Sequence, residues 1–373
     1  MKKSYIYYCL AVLLHVILLG CNDNRKKDSD LRAELPALKS LDEKIASWVD
    51  SGYYEGVAIR VVKDNEVFFE SCYGNYTDTT ARHVASAGKW IVAATIAAVV
   101  DDGKLSWDDK VKKYLPAFTD AKGEATLRQL LSHTAGYPDY QPAGRKRDDY
   151  QTLEEAVSHI ADLPSDTLPG TKYKYGGLAM QVAGRMAEIA TGKDWETIFQ
   201  EKLAMPLGMK YSRFVPVSSE GGFSPMLGGG FKTSVHDFSN FLSMFINNGL
   251  FNGKQVLSVE AVKEIESDQI KGAFLHQPEF AATVRQNFHN DAYGLGIWRE
   301  EIDANRNATL MSSPGWAGAY PWADRKNNVY GFILAKVNVH KANANRFSSF
   351  YESASIPLII RDAIGQKDRP EGL

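Results

Sequence analysis

The pattern of hydrophobic and polar residues predicts a helix and a β-hairpin near the start of the folded region. Residues 38–50 carry apolar side chains at helical spacing. Residues 56–62 and 66–70 are rich in β-branched and aromatic side chains, and the turn-forming string Lys63-Asp64-Asn65 separates them. We therefore expect a helix followed by two antiparallel strands.

A second pattern predicts a buried helix over residues 86–102. This stretch is apolar on nearly every helical face and contains neither Gly nor Pro after Gly88, and Gly103 follows it as a C-terminal cap. A helix without a polar face has no side to turn toward water. We expect this helix in the core.

The remaining patterns are helical in the middle of the chain and strand-like near its end. Helical patterns dominate residues 106–209, notably 153–161 and 178–190. Strand patterns return at residues 293–298, 308–312, 319–322 and 329–337, and a closing helix is expected over residues 347–364. Strands at both ends with helices between them favour an antiparallel sheet assembled from distant segments.

The predicted fold class is therefore α+β, an antiparallel sheet flanked by helices with an inserted all-helical lobe. The predicted boundaries place the sheet domain at residues 38–105 and 210–366, the helical lobe at 106–209 and a tail at 367–373.

The N-terminal segment has the pattern of a processing signal. Lys2 and Lys3 precede an apolar run over about residues 6–19, which ends at Gly20-Cys21. A membrane-spanning helix needs roughly 20 apolar residues, and this run is shorter. It resembles a bacterial lipoprotein signal (residues 1–20), with lipidation at Cys21 and a polar tether at residues 21–37. An ordinary cleaved signal or an uncleaved anchor is the alternative.

A lipidated Cys21 would hold the exported protein on a bacterial membrane, on the periplasmic side or at the outer membrane or cell surface. Cys72 would then be the one cysteine outside the signal besides Cys21, and we expect it to be a buried structural residue. The chain has 43 Lys and Arg against 45 Asp and Glu, so no basic surface for nucleic acid is indicated. No zinc or phosphate-binding motif occurs, and no cofactor or metal is expected.

Candidate chemistry lies at the start of the buried helix, in Ser86-Ala87-Gly88-Lys89. A spacing of three places the hydroxyl and the amine on one helical face. Serine needs a base to attack a carbonyl, and burial makes lysine a base by disfavouring its charged form. The backbone N–H of Ser86 could help to stabilise an oxyanion. The motif alone also fits an N-cap serine followed by a solvated lysine.

Further strings, in order, resemble those of the β-lactamase-related serine hydrolases, which include class C β-lactamases, D-alanyl-D-alanine carboxypeptidases and several esterases. The resemblance covers about residues 56–337 and implies a β-lactamase/transpeptidase-like fold. It is carried by Ser86-Ala87-Gly88-Lys89, Asp102-Gly103-Lys104-Leu105-Ser106, Leu130-Leu131-Ser132-His133-Thr134-Ala135-Gly136-Tyr137, Pro169-Gly170-Thr171, Tyr175, Met205-Pro206-Leu207-Gly208-Met209 and Gly228-Gly229-Gly230-Phe231.

The resemblance implies a second motif, Tyr-x-Asn, whose Tyr shares in proton transfer with the lysine. Here the matching string is Tyr175-Gly176-Gly177, so the Tyr is present and Gly177 replaces the Asn. Tyr173 could be the motif tyrosine in a competing register. Alternatively, Tyr175 is a structural aromatic in the core at the junction of the lobes. The resemblance also implies that His133 is chiefly structural and not a catalytic base.

The third motif of the family, Lys-Thr-Gly or His-x-Gly, matches Ser313-Pro314-Gly315. Its ionisable first residue is missing. By analogy the N–H of Trp316 is the second oxyanion donor, and Gly315 allows a substrate backbone to approach. A plain turn between strands is the alternative. Gly177, Ser313 and Gly315 are thus the candidate substrate-binding positions.

Three hypotheses follow for the function. The first is a hydrolase of small ester, amide or peptide-like substrates that forms an acyl-enzyme on Ser86, with Lys89 and Tyr175 as base. The second is a true β-lactamase or D-alanyl-D-alanine carboxypeptidase. The third is a non-catalytic lipoprotein that binds a glycan or peptide. Loss of the Asn and of the third-motif cation favours an ester hydrolase, since esters need less carboxylate anchoring.

Overall fold

The computed structural model describes residues 35–138, 150–216, 222–275, 293–348 and 352–367. The predicted signal, Cys21, most of the tether and nearly all of the tail lie outside these ranges. Within them, no helix combines the length and the apolar character required to cross a membrane.

A six-stranded antiparallel sheet forms the centre of the fold, and its spatial order is β10-β11-β12-β13-β1-β2. These strands are β1 (Tyr54–Lys63), β2 (Glu66–Gly74), β10 (Trp298–Ile302), β11 (Ala308–Ser312), β12 (Tyr320–Asp324) and β13 (Val329–Val337). The short strands between them in the chain are β3 (Arg82–His83), β4 (Lys172–Tyr173), β5 (Arg213–Phe214), β6 (Phe231–Thr233), β7 (Leu250–Phe251), β8 (Lys254–Gln255) and β9 (Phe274–Leu275).

Helices occupy both faces of the sheet and most of the middle of the chain. They are α1 (Pro36–Asp50), α2 (Gly88–Asp101), α3 (Val111–Tyr114), α4 (Ala121–Glu124), α5 (Leu127–Leu131), α6 (Leu153–Ala161), α7 (Leu178–Thr191), α8 (Trp195–Phe199), α9 (Met205–Leu207), α10 (Val235–Ile246), α11 (Val259–Glu266), α12 (Val339–Ala344) and α13 (Ile356–Lys367). A 3₁₀ turn, Ala85–Ala87, leads into α2, and a π-helical turn, Gln200–Ala204, joins α8 to α9.

The sheet separates two hydrophobic cores. On one face, α1 and α13 pack against each other and α1 also packs on β1 and β2, with Leu41, Trp48 and Ile360 in one core. On the other face, α10 packs on β13, β1 and β12, and α2 lies deeper, against α7 and α11. All of α2 except its last two residues is buried to within 5% exposure. The buried helix predicted from its apolar pattern is confirmed.

The sequence patterns also predicted the hairpin β1–β2 and the strands β11 and β13 correctly. The prediction of a strand over residues 293–298 was wrong, because the chain turns there and β10 begins only at Trp298. Gly296 has a φ of 69° in this turn, a left-handed value that glycine adopts without strain. The closing helix α13 begins at Ile356, later than predicted, and α12 precedes it as a separate helix.

The expectation that Cys72 is buried was also wrong. Cys72 is exposed on β2, which is an edge strand of the sheet. Phe68 and Phe69 provide the buried contacts of β2 instead, and both lie in one core because the pairing register of β1 and β2 shifts between Val61 and Val62.

Candidate active site

Ser86 lies in the 3₁₀ turn at the N-terminal end of α2. Ala85, directly before it, has a φ of 49°, a left-handed conformation that is costly for a residue with a Cβ. Gly88 then allows the turn to pack closely against Phe231, because a Cβ on Gly88 would lie 2.5 Å from the Cβ of Phe231. The hydroxyl is therefore presented by a strained turn that the surrounding structure holds in place.

Lys89 is fully buried beneath this turn. Its Nζ lies 2.9 Å from Oγ of Ser86 and 2.7 Å from the carbonyl oxygen of Gly228. Burial lowers the pKa of Lys89 from 10.5 to about 7. A large fraction of the amine is therefore neutral at physiological pH, which is the form that can accept a proton from the serine.

Tyr175 covers the other side of the amine. Its ring centroid lies 4.7 Å from Nζ of Lys89, and the ring stacks on Trp298 at 5.4 Å. Tyr173, the competing register, is fully buried, and its ring packs on Trp298 and Tyr293. The geometry favours Tyr175 as the aromatic partner of the lysine, and the tyrosine also packs in the aromatic cluster at this junction.

His133 supports this cluster from behind. Its ring centroid lies 4.7 Å from that of Tyr175 and 5.1 Å from that of Tyr293. Burial, followed by the charge of Lys89, holds the pKa of His133 well below its usual range. Its Nε2 finds no hydrogen-bond partner within the described ranges. A neutral, buried ring packed among tyrosines agrees with the structural role expected for His133.

Gly177 lies where the family carries an Asn, at the N-cap of α7. A Cβ on Gly228 would lie 2.8 Å from the Cα of Gly177, so two glycine backbones are in contact here. The Gly228 carbonyl on this segment is the one that accepts from Lys89. The space near the lysine is filled by backbone, and Gly177 contributes no side-chain amide.

The third-motif segment packs on the turn that carries the serine. Ser313 is buried, and its hydroxyl lies 3.2 Å from the carbonyl oxygens of both Ser86 and Gly296. A Cβ on Gly315 would lie 2.0 Å from the carbonyl oxygen of Val84, so this glycine allows an approach of the protein's own backbone. Trp316, the predicted second oxyanion donor, follows and is 63% exposed.

Two contributions to the site were not predicted from the sequence. The Gly228 carbonyl belongs to a Gly-rich string that was noticed only as a family marker, since a backbone contact leaves no trace in residue type. Gly296 was assigned to a strand, although a Cβ there would lie 2.4 Å from the carbonyl oxygen of Lys89. The pair of glycines in Tyr293-Gly294-Leu295-Gly296 was the available signal for a turn.

Comparison with known proteins agrees with this fold. The Beta-lactamase family model matches residues 41–347, most of the 373-residue chain. The chain belongs to this family, whose members are β-lactamase-related serine hydrolases. The antiparallel sheet flanked by helices is the β-lactamase/transpeptidase-like fold predicted from the sequence.

Several relatives carry different descriptions. A "putative beta-lactamase" from Bacteroides dorei DSM 17855 has a crystal structure with a TM-score of 0.83 and 48% identity, covering 87% of this chain and 98% of that one. A "Putative D-alanyl-D-alanine carboxypeptidase" of Escherichia coli K12 is 26% identical over 96% of both chains. The structure of EstCE1, a hydrolase with promiscuous acyltransferase activity, shares the fold at a TM-score of 0.68 and 20% identity, covering 88% of this chain and 98% of that one.

Proposed function

We propose that the protein hydrolyses carboxylic esters or amides through an acyl-enzyme on Ser86. The observation that carries this proposal is the pair formed by Ser86 Oγ and Lys89 Nζ, 2.9 Å apart, with the amine buried and its pKa lowered to about 7. A nucleophile beside a base whose neutral form is well populated at neutral pH is the arrangement that acyl transfer needs.

In the proposed mechanism, Lys89 takes the proton of Ser86 as Oγ attacks the substrate carbonyl. The backbone N–H groups of Ser86 and Trp316 stabilise the oxyanion. Tyr175 shares in moving the proton to the leaving group, and the tetrahedral adduct collapses to an acyl-serine. Water, deprotonated by the same base, then attacks the acyl carbon and releases the acid.

The side chains around the pair favour esters over lactams. Gly177 offers no amide to hold a substrate amide group, and Ser313 is no cation for a substrate carboxylate. Because a buried hydroxyl engaged with two backbone carbonyls has little left to offer a ligand, the third motif anchors a carboxylate poorly. The binding of an ester that carries no carboxylate is weakened least by the glycine at position 177 and the serine at position 313.

A β-lactamase or D-alanyl-D-alanine carboxypeptidase activity is the second candidate. It is supported by the descriptions of the Bacteroides dorei and Escherichia coli relatives, which match most of this chain. The substrates of such enzymes carry a carboxylate. The third motif of this site has no cation to bind it, which makes this candidate second to the ester hydrolase.

The experiment compares the chain lacking residues 1–21 with its Ser86→Ala variant. We expect serine-dependent hydrolysis of p-nitrophenyl butyrate and no stable penicilloyl adduct in the intact mass. A fluorophosphonate probe should add its mass to the peptide that contains Ser86, and Ser106→Ala, a serine outside the site, should label normally.

Each other outcome selects a different function. A stable penicilloyl mass increase on Ser86, or release of D-alanine from a D-alanyl-D-alanine peptide, would favour the second candidate. If probe, ester and penicillin all leave Ser86 unmodified, the mechanism fails and a non-catalytic protein that binds a glycan or peptide becomes the better account.

A further inference from the structure

The hydroxyl of Ser313 is directed at backbone carbonyls. The residue is 3% exposed. Its Oγ lies 3.2 Å from the carbonyl oxygen of Ser86 and 3.2 Å from that of Gly296. Both carbonyls are acceptors, so the hydroxyl donates its single proton to them. A substrate in the site would find that proton already engaged.

The two carbonyls belong to the segments that carry the nucleophile and border its base. Ser86 is the proposed nucleophile itself. Gly296 lies against Lys89, since a Cβ at Gly296 would lie 2.4 Å from the lysine carbonyl oxygen. The hydroxyl of Ser313 therefore links the turn that carries Ser86 to the segment that lies against the backbone of Lys89.

The turn that carries Ser86, which the Ser313 hydroxyl contacts, has a strained backbone. Ala85 has a φ of 49°, and such strain persists only where surrounding contacts maintain it. Ser313 contacts this turn from a position 227 residues further along the chain. Two residues later, Gly315 brings its own backbone against the Val84 carbonyl. The third-motif segment thus packs against the nucleophile turn both through backbone and through one side-chain hydrogen bond.

We propose that Ser313 is a positioning residue that orients Ser86 for attack, in place of the substrate-binding role expected for this position. The inference rests on the proposed function, because it takes Ser86 as the nucleophile. It accounts for a serine here: a small hydroxyl fits between two carbonyls, whereas the longer cationic side chain of the family motif would have to leave this buried place.

The test compares Ser313→Ala with Ser312→Ala. Ser312 is the adjacent residue, is also fully buried and also donates one hydrogen bond, to Oε1 of Glu300 at 2.5 Å. It lies outside the catalytic site, so it controls for the loss of a buried hydroxyl. Thermal unfolding of both variants measures the structural cost, and steady-state kinetics measure kcat and KM separately.

Two butyrate esters separate positioning from substrate binding. The leaving group is p-nitrophenol in one and 3-hydroxybenzoate, which carries a carboxylate, in the other. We expect Ser313→Ala to lower kcat at least about tenfold on both esters, with KM changed less than about twofold, because a displaced nucleophile slows the chemical step for any substrate. Ser312→Ala should keep the kcat of the unmodified chain.

Two results would overturn the inference. One is a rise in KM on the 3-hydroxybenzoate ester alone, which would assign Ser313 to substrate binding. The other is a kcat for Ser313→Ala equal to that of Ser312→Ala. Absence of Ser86-dependent turnover in the unmodified chain would instead contradict the proposed function itself.

Discussion

Lys89 is a residue whose charge the fold opposes. Its side chain is fully buried, and burial lowers its pKa from 10.5 to about 7. Below pH 7 the folded and unfolded states both hold the proton, so the folded state bears the full penalty of burying a charge. Between pH 7 and about pH 10 the unfolded state binds more protons than the folded state, and the penalty declines as pH rises.

Replacing Lys89 by Met removes this penalty and keeps a side chain of similar length. We expect Lys89→Met to raise the free energy of unfolding by about 2 kcal/mol at pH 6, at roughly 1.4 kcal/mol for each pKa unit less the two hydrogen bonds that are lost. The gain should shrink toward pH 10. Urea unfolding at both pH values measures it, and ester hydrolysis should disappear.

Lys122 provides the matched control, since it is a second lysine buried to 1% exposure. Its Nζ donates to a carboxylate oxygen of Asp120 at 2.5 Å and also to the carbonyl oxygen of Leu163. Because this charge is paired, Lys122→Met should destabilise the fold. A gain for Lys89→Met that is equal at pH 6 and pH 10 would show that its ionisation is not the cause.

The same pKa sets the pH dependence of the chemistry. Only the neutral amine of Lys89 accepts the serine proton, so the acylation rate should rise about tenfold per pH unit below pH 7 and level off above it. Stopped-flow release of p-nitrophenol between pH 5 and pH 9 measures this rate. A rate that falls as pH rises through 7 would exclude Lys89 as the base.

Gly315 is a residue whose missing side chain matters. An added Cβ would lie 2.0 Å from the carbonyl oxygen of Val84, and a backbone atom cannot move aside as a flexible side chain can. We expect Gly315→Ala to cost about 2 kcal/mol of stability, as overpacking does, and to lower kcat/KM more than about tenfold. Chemical denaturation and ester hydrolysis measure the two effects.

Gly365 offers a glycine with the opposite surroundings. It lies in α13, and a Cβ there would meet nothing within 4 Å. Gly365→Ala should therefore leave activity unchanged and stabilise the protein by about 0.5 kcal/mol. If both alanine variants behave alike, the close backbone contact at Gly315 has no energetic importance.

Among the elements, α13 is joined to the sheet by a charged contact as well as by apolar packing. Arg361 donates to the buried carboxylate of Asp324 at 2.6 Å and to both carboxylate oxygens of Glu301 at 2.8 and 2.9 Å. Removing the cation leaves the Asp324 carboxylate, 1% exposed, without its charged partner. The contact lies on the face of the sheet covered by α1 and α13.

We expect Arg361→Met to lower the free energy of unfolding by about 2 kcal/mol, because breaking a largely buried pair strands the remaining charge. Turnover at a temperature where the variant is folded should change less than about twofold. Lys39→Met is the control, since Lys39 and Glu43 are about 70% exposed and 3.9 Å apart, and exposed pairs contribute little. Equal losses for both variants would contradict the argument.

Elements rich in apolar residues were predictable from the sequence, and elements defined by backbone contacts were not. The apolar run of α2 and the β-branched and aromatic residues of β1 and β2 reflect burial, which residue type records. The turn at Gly294-Leu295-Gly296 was assigned to a strand although its two glycines favoured a turn, and no residue type reports its contact with Lys89. The prediction that Cys72 is buried was wrong for a related reason. Burial of a side chain on an edge strand depends on which face of the strand other elements cover.

The site shows the same limit. Ser86 and Lys89 were predicted as catalytic from the chemistry and spacing of their side chains, and Tyr175 from the family resemblance. The Gly228 carbonyl and the inward orientation of the Ser313 hydroxyl depend on where the folded chain places its backbone. Residue type, spacing and the family resemblance therefore predict candidate reacting groups, and the fold determines which groups hold them.

At the scale of the whole molecule, the site exists only when distant segments meet. The amine of Lys89 is bonded to a carbonyl 139 residues away, and the carbonyl of Ser86 to a hydroxyl 227 residues away. Loss of tertiary packing should therefore abolish the site before any local element unfolds. Residues 1–21 precede the folded body, and the sequence predicts a membrane anchor among them.

The predicted lipidation at Cys21 implies that the whole protein is held at a membrane. Acyl chains contribute about 0.8 kcal/mol per buried CH₂, so a lipidated chain should enter the detergent phase of a Triton X-114 extract, whereas Cys21→Ser should remain in the aqueous phase. Cys72→Ser is the control, because it removes the exposed thiol of the folded body and should leave partitioning unchanged. The intact mass of the extracted protein should show cleavage before Cys21 and an added lipid. A detergent-phase Cys21→Ser protein that still carries residues 1–20 would identify an uncleaved apolar anchor instead, and aqueous behaviour of both chains would indicate an ordinary secretory signal.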